Sequence, residues 1–392
     1  MGTNRRLTPS LRGSLFYLAY WSIVAVYTPF INLYFVELGL SGSQIGLLSA
    51  LLPLMTLVVA PALSAMADRR GTRVRILAGA LIGLGLALAL LSIPRSFAPL
   101  AALMALVALF RSPISPIADS LVARMAARHR LDYGAMRLWG SFGFALVALA
   151  CGSLWQWVGF GAMFALAGGL FVPVALGALL LEEGPVVERS ARRPLREVGR
   201  DRGLIALLAA TFAMGAALGM DATFQSIYVG HLGGGGFLVG LLFGVSALSE
   251  LPSMRFAGAI ARRIGAPAIL LLSYGLMLAN YAGFALARDA LVLIPLTIVK
   301  GCGFGLYFVS TVRMVDERTP PEWASTVQAI MNAGAGGLAP LVASLLGGLI
   351  YDALGPASVF AACAGCVAVA AIVLATAAAR GAFRSAGASA AR

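Results

Sequence analysis

Apolar residues follow one another along this chain in runs of about 20, each parted from the next by a short polar stretch that carries the charges. The runs fall near 14–36, 45–66, 74–93, 98–121, 136–157 and 160–180. After an interruption they resume near 204–229, 237–260, 267–287, 290–312, 323–350 and 357–379. At a rise of about 1.5 Å per residue, each run is long enough as a helix to cross the roughly 30 Å hydrocarbon layer of a bilayer. The pattern therefore predicts an all-α membrane protein with twelve transmembrane helices. Glycine and proline within the runs would break soluble helices; in a membrane bundle, neighbouring helices satisfy the freed backbone.

The one long polar stretch, 181–203, lies almost midway. It divides the chain into an N-terminal six-helix bundle (1–180), a cytoplasmic linker (181–203), a C-terminal six-helix bundle (204–379) and a cytoplasmic tail (380–392). The halves echo one another. The sixth run opens VGFGAMFALAGG and the twelfth LGPASVFAACAG; IGLL in the second run answers VGLL in the eighth; DRRGTR and ARRIG follow those two runs. Echoes in matching order imply parallel repeats, two pseudo-symmetric bundles that rock about a central cavity and open it to each side in turn.

Composition agrees with this picture. Of 392 residues, 60% are apolar and 11% charged, and the mean hydropathy is +0.90, whereas an ordinary soluble domain carries roughly 25% charged residues. A net charge of +13 invites a nucleic-acid partner, but the cations sit between the apolar runs and form no continuous basic face. Sorting them assigns orientation. The N-terminus (Arg5, Arg6, Arg12), the loops after the second, fourth, eighth and tenth runs, the linker and the tail hold nearly all the arginines; the opposite side holds Arg95 and Arg288. Both termini are thereby expected in the cytoplasm of a bacterium, with the chain multi-pass in the inner membrane and lipid as its surroundings. The four cysteines lie within apolar runs and read as small packing residues. His129 and His231 lie in loops without metal-ligand company. No GKS or GKT phosphate loop exists, and no nucleophile stands with a base. The expectation is neither an enzyme nor a metal or cofactor protein.

A charge inside a membrane span is expensive and needs a reason. Arg111 and Asp119 lie in the fourth run, Asp221 in the seventh, Glu250 and Arg255 in the eighth and Lys300, the only lysine, in the tenth; Arg137 begins the fifth. Arg111 and Asp119, eight residues apart, share one face of a continuous helix, and an Asp119–Arg137 pair across the hairpin is expected, either as a structural pin or as a substrate grip. Glu250, flanked by leucines, is the foremost carboxylate for carrying a proton, with Asp221 and Asp119 beside it. Lys300 is expected to balance Glu250 or Asp221, or with Arg111 to face an anionic solute. Asn32, Tyr34, Tyr228, Asn280, Tyr307, Gln328 and Asn332 offer hydrogen bonds to a ligand or between helices.

The stretch SAMADRRGTRVR (64–75) resembles the loop signature of the major facilitator superfamily, with Asp68, Arg69, Gly71 and Arg73 matching and Ser64 where glycine is usual. Its second-half copy, AGAIARRIG, has Ala261 where the acid would stand. The resemblance implies a conformational latch in which Asp68 holds helix-end groups and a neighbouring cation. SPISPIADSL (112–121) and LDYGAMRLWGSFG (131–143) resemble the phenylpropionic acid permease branch, akin to lactose permease and the nucleoside–proton symporters. By that resemblance Asp119, Arg137 and Glu250 bind substrate, while the sugar carrier's His/Glu pair in the tenth span has no match. The implied function is proton-coupled symport of a small organic solute by a monomer, with an aromatic carboxylate such as phenylpropionate as first guess. A sugar or nucleoside symporter is the alternative, and a drug or metabolite antiporter the next.

Overall fold

The computed structural model describes residues 8–183 and 201–383. Most of the linker, Arg5, Arg6 and the tail beyond 383 lie outside the described residues. Among those described, all regular structure is helical. Eleven helical stretches are long and apolar enough to cross a membrane, and a twelfth apolar helix, Ala162–Ala178, is shorter. The twelve coincide with the twelve apolar runs.

The contacts gather the helices into two compact units. The first holds α1 (Pro9–Tyr27), α2 (Ile31–Glu37), α3 (Gly42–Arg70), α4 (Arg73–Leu91), α5 (Phe97–Arg111), α6 (Ile114–His129), α7 (Tyr133–Val158) and α8 (Ala162–Ala178). Local chemistry sets several of their ends. Thr8 and Asp132 accept N–H groups at the starts of α1 and α7, and Ser41 with Gln44 forms a reciprocal capping box on α3. Gly71 closes α3 at φ 61°, a left-handed backbone that suits glycine. α1 packs on α7 and α4 on α8. The second contact is tight because a Cβ at Gly85 would come within 2.8 Å of the carbonyl oxygen of Gly168.

The second unit holds α9 (Arg202–His231), the part of α10 (Gly236–Ile264) from Leu248 onward, α11 (Ala266–Leu286), α12 (Leu293–Arg318), α13 (Pro321–Ala333), α14 (Ala339–Leu354) and α15 (Pro356–Ala379). The stretch Gly234–Ala247 gathers with the first unit, since Gly236 and Gly240 lie against the backbone of Gly152 and Ala148 on α7. A π-helical segment, Gly334–Leu338, joins α13 to α14.

One expectation is corrected. The fourth run is not a continuous helix: α5 stops at Arg111 and α6 starts at Ile114. Pro113 has no N–H to donate and crowds the preceding turn. Arg111 and Asp119 therefore belong to two helical segments of one span; Ser112 and Pro113 keep helical backbone angles, so both residues still lie on the side of the span near Tyr20.

Candidate functional site

In the first unit three membrane-spanning stretches bring polar groups together. α1 supplies Tyr17 and Trp21, four residues apart and so on one face. α6 supplies Asp119, and α7 supplies Tyr133 and Arg137, again four apart. The Tyr17 hydroxyl donates to Asp119 Oδ1 at 2.6 Å and lies 3.3 Å from the Tyr133 hydroxyl. Arg137 Nε stands 3.8 Å from the same Asp119 oxygen. Its guanidinium also lies over two rings, 5.2 Å from the Tyr17 centroid and 4.9 Å from that of Trp21. Gly140, one turn beyond Arg137, makes room for this: a Cβ there would press on the Trp21 indole at 2.5 Å. The Asp119 and Arg137 side chains remain 40% and 35% exposed. The two ring faces hold the guanidinium by cation–π attraction without consuming its N–H donors, and Asp119 keeps lone pairs for another donor. Arg111 lies half-buried at the end of α5, its guanidinium 5.6 Å from the Tyr27 ring centroid.

At the start of α4, Arg73 is 1% exposed and donates from Nε to Asp68 Oδ1 at 2.6 Å. The α4 helix-end N–H groups do not go to Asp68. Those of Arg73 and Val74 donate to Glu183, each at 2.9 Å, a favourable place for a carboxylate at a helix N-terminus. Arg69 and Arg70 are exposed at the end of α3. The neighbouring Glu182 gathers His129 at 2.9 Å, Arg12 at 3.8 Å and Arg128 at 3.9 Å.

In the second unit Lys300 on α12 is set against α9. Its ammonium donates to Asp221 Oδ2 at 2.5 Å and to Gln225 Oε1 at 2.6 Å. The two charged side chains are 11% and 6% exposed, and among the described residues Asp221 Oδ1 and Gln225 Nε2 meet no hydrogen-bond partner. Of the partners expected for Lys300, Asp221 is the one it meets. Glu250 is half-buried on α10, where Gly305 brings α12 close to its backbone, and Arg255 is exposed. Tyr228 donates to the carbonyls of Phe284 and Ala287, so it joins helices. Where α9 begins, Asp201 accepts the N–H groups of Gly203 and Leu204 and pairs with Arg318 at 2.9 Å. Burial pushes the Asp201 carboxyl up, but the Arg318 hydrogen bond and charge and the two backbone donors outweigh it and hold the carboxyl below its ordinary value.

Sequence reading did not single out Tyr17, Trp21, Tyr133, Glu182 or Glu183. The i, i+4 pairs Tyr17/Trp21 and Tyr133/Arg137 were a usable signal. The glutamates look like a polar loop end until α8 is seen to finish beside α4.

The MFS_1-like family matches residues 11–362. Maltose permease of Geobacillus stearothermophilus is 29% identical over 350 residues, 86% of this chain and 86% of that protein. Multidrug resistance protein MdtG of Salmonella paratyphi A is 27% identical over 76% of this chain and 73% of its own. A variant of the nucleoside transporter NupG superposes with a TM-score of 0.84 at 15% identity, covering 94% of this chain and 99% of that one. A bacterial homologue of the human lysosomal transporter Spinster superposes at 0.68, with 16% identity over 97% and 96%. The twelve apolar helices and the match across most of the sequence agree, and the chain belongs to the MFS_1-like family of the major facilitator superfamily, whose members are membrane transporters rather than enzymes.

Proposed function

We propose that this transporter carries a small organic solute together with protons, by alternating access, and that Asp119 and Arg137 grip the solute. The observation that supports the reading is a carboxylate and a guanidinium on apolar spans, held by Tyr17, Trp21 and Tyr133 yet still more than a third exposed. A pair serving only to pin helices gains from closing; this one is held open. An aromatic carboxylate such as phenylpropionate is the first solute to try, its ring suited to the Tyr17 and Trp21 side chains beside Arg137. The relative called maltose permease favours a sugar as second reading, since hydroxyl groups suit the exposed Asp119. The relative called a multidrug resistance protein keeps drug antiport third.

Glu250 is the first choice for the proton, with Asp221 and Asp119 the other carboxylates; Glu250 also serves as a solute contact. Lys300 acts here as the counter-ion of Asp221. Asp68, Arg69, Gly71 and Arg73 form the latch, with Glu183 added to it. Both termini face the cytoplasm. The test is uptake by proteoliposomes with an inward proton gradient, offered organic acids, sugars and nucleosides. Gradient-driven uptake of one of them is expected, and Glu250→Gln should abolish net uptake while sparing exchange. No gradient-driven uptake from any of the three classes overturns the symport reading.

A further inference from the structure

Among the described residues, the apolar spans of the first unit carry a cation without a paired carboxylate. Asp119 and Arg137 offset one another at 3.8 Å, which leaves Arg111. Among the described residues no carboxylate lies within 4 Å of the Arg111 guanidinium, whose neighbour is the Tyr27 ring. A ring face orients a guanidinium but does not neutralise it, and an arginine in a span ordinarily meets a compensating group.

Arg111 also neighbours the Asp119 cluster by way of Tyr20. Tyr20, buried on α1, has a hydroxyl that meets the Ser115 side chain, and both Arg111 and Asp119 lie within its electrostatic reach. The Pro113 break places Arg111 at a helix end instead of within a straight helix. Tyr20 and Ser115 thus stand between Arg111 and Asp119.

We propose that Arg111 is an anion-binding residue of the solute site, and that the solute carries one carboxylate or comparable oxyanion. The planar guanidinium suits two parallel N–H···O bonds to such a group. Asp119 and Arg137 then take the solute's uncharged polar groups. The inference rests on the Asp119–Arg137 cluster being the solute site, and it adds the charge of the solute.

The test uses the purified full chain and probes matched in shape but not in charge: 3-phenylpropionate against 3-phenylpropionamide, benzoate against benzamide, and lactate against lactamide. Maltose and uridine serve as neutral solutes. Thermal unfolding reports binding, because a bound solute raises the transition. In at least one pair the charged member should stabilise more. Arg111→Gln should weaken its binding roughly tenfold or more, and Arg111→Lys by less. Absence of any preference for charge across the pairs overturns the proposal, as does a charged probe that binds Arg111→Gln as tightly as the parent protein. Should Arg111→Gln fail to fold, unchanged affinity in Arg111→Lys overturns the two-bond grip. Binding lost in Asp119→Asn but kept in Arg111→Gln removes the anion residue and leaves the solute site standing. The reverse pattern keeps the anion residue and removes the Asp119 reading.

Discussion

In the first unit Asp119 and Arg137 stand 3.8 Å apart with more than a third of each side chain exposed. In the second, Asp221 and Lys300 stand 2.5 Å apart with about a tenth or less exposed. Both are acid–base pairs on apolar helices, and the difference lies in what surrounds them. Tyr17 satisfies Asp119 from the side, and the Tyr17 and Trp21 rings support Arg137, so neither charge depends on the other for company. Lys300 bonds directly to Asp221 and to Gln225, with no ring or hydroxyl holding the two charges apart among the described residues. A held-open pair is free to exchange partners with a solute; a closed buried pair fixes the packing of α9 against α12.

The sharpest way to break the comparison is to remove one charge from the closed pair. Lys300→Ala leaves Asp221 buried without its cation and should destabilise the protein by roughly 3–5 kcal/mol, while Asp221→Ala combined with Lys300→Ala should recover most of that loss. Thermal unfolding of the two variants checks it; a double variant no more stable than the single one breaks the counter-ion account. The open pair should respond in binding. Tyr17→Phe removes a hydrogen bond to a charged acceptor and should weaken solute affinity about tenfold with little change in unfolding temperature. A smaller effect is expected from Arg137→Lys. It keeps the charge but loses the guanidinium's reach over the Trp21 ring, at a cost of about 0.5–2 kcal/mol in solute affinity.

The smallest effect concerns Asp201. Its carboxyl is held below the ordinary 3.8 by Arg318 and the backbone donors, against burial. The resulting stabilisation is complete above the unfolded value and disappears as pH falls through the lower folded value. Because the pair is partly exposed, its contribution is at most about 1 kcal/mol. Unfolding temperature below about pH 4 should fall less steeply in Asp201→Asn than in the parent protein.

Much of the architecture was legible in the sequence because the bilayer imposes one rule on every span: long, apolar and helical. Asp119 and Arg137 were legible because charge in an apolar run is conspicuous. The aromatic support was not, since Tyr17 and Trp21 look like ordinary span residues until α1 is packed on α7. The helix break at Pro113 was written in the sequence, but proline is tolerated within α3 at Pro53 and Pro61, so its presence alone does not decide. Glu183 could not be assigned to α4 from spacing, because 110 residues separate it from Arg73.

The central claim is that the solute is held by the open pair and not by the closed one. It is tested most directly by the rise in unfolding temperature that a transported solute produces in Asp119→Asn and in the Asp221→Ala, Lys300→Ala double variant. The account predicts that the rise vanishes in Asp119→Asn and persists in the double variant. A rise that persists in Asp119→Asn and vanishes in the double variant would contradict it.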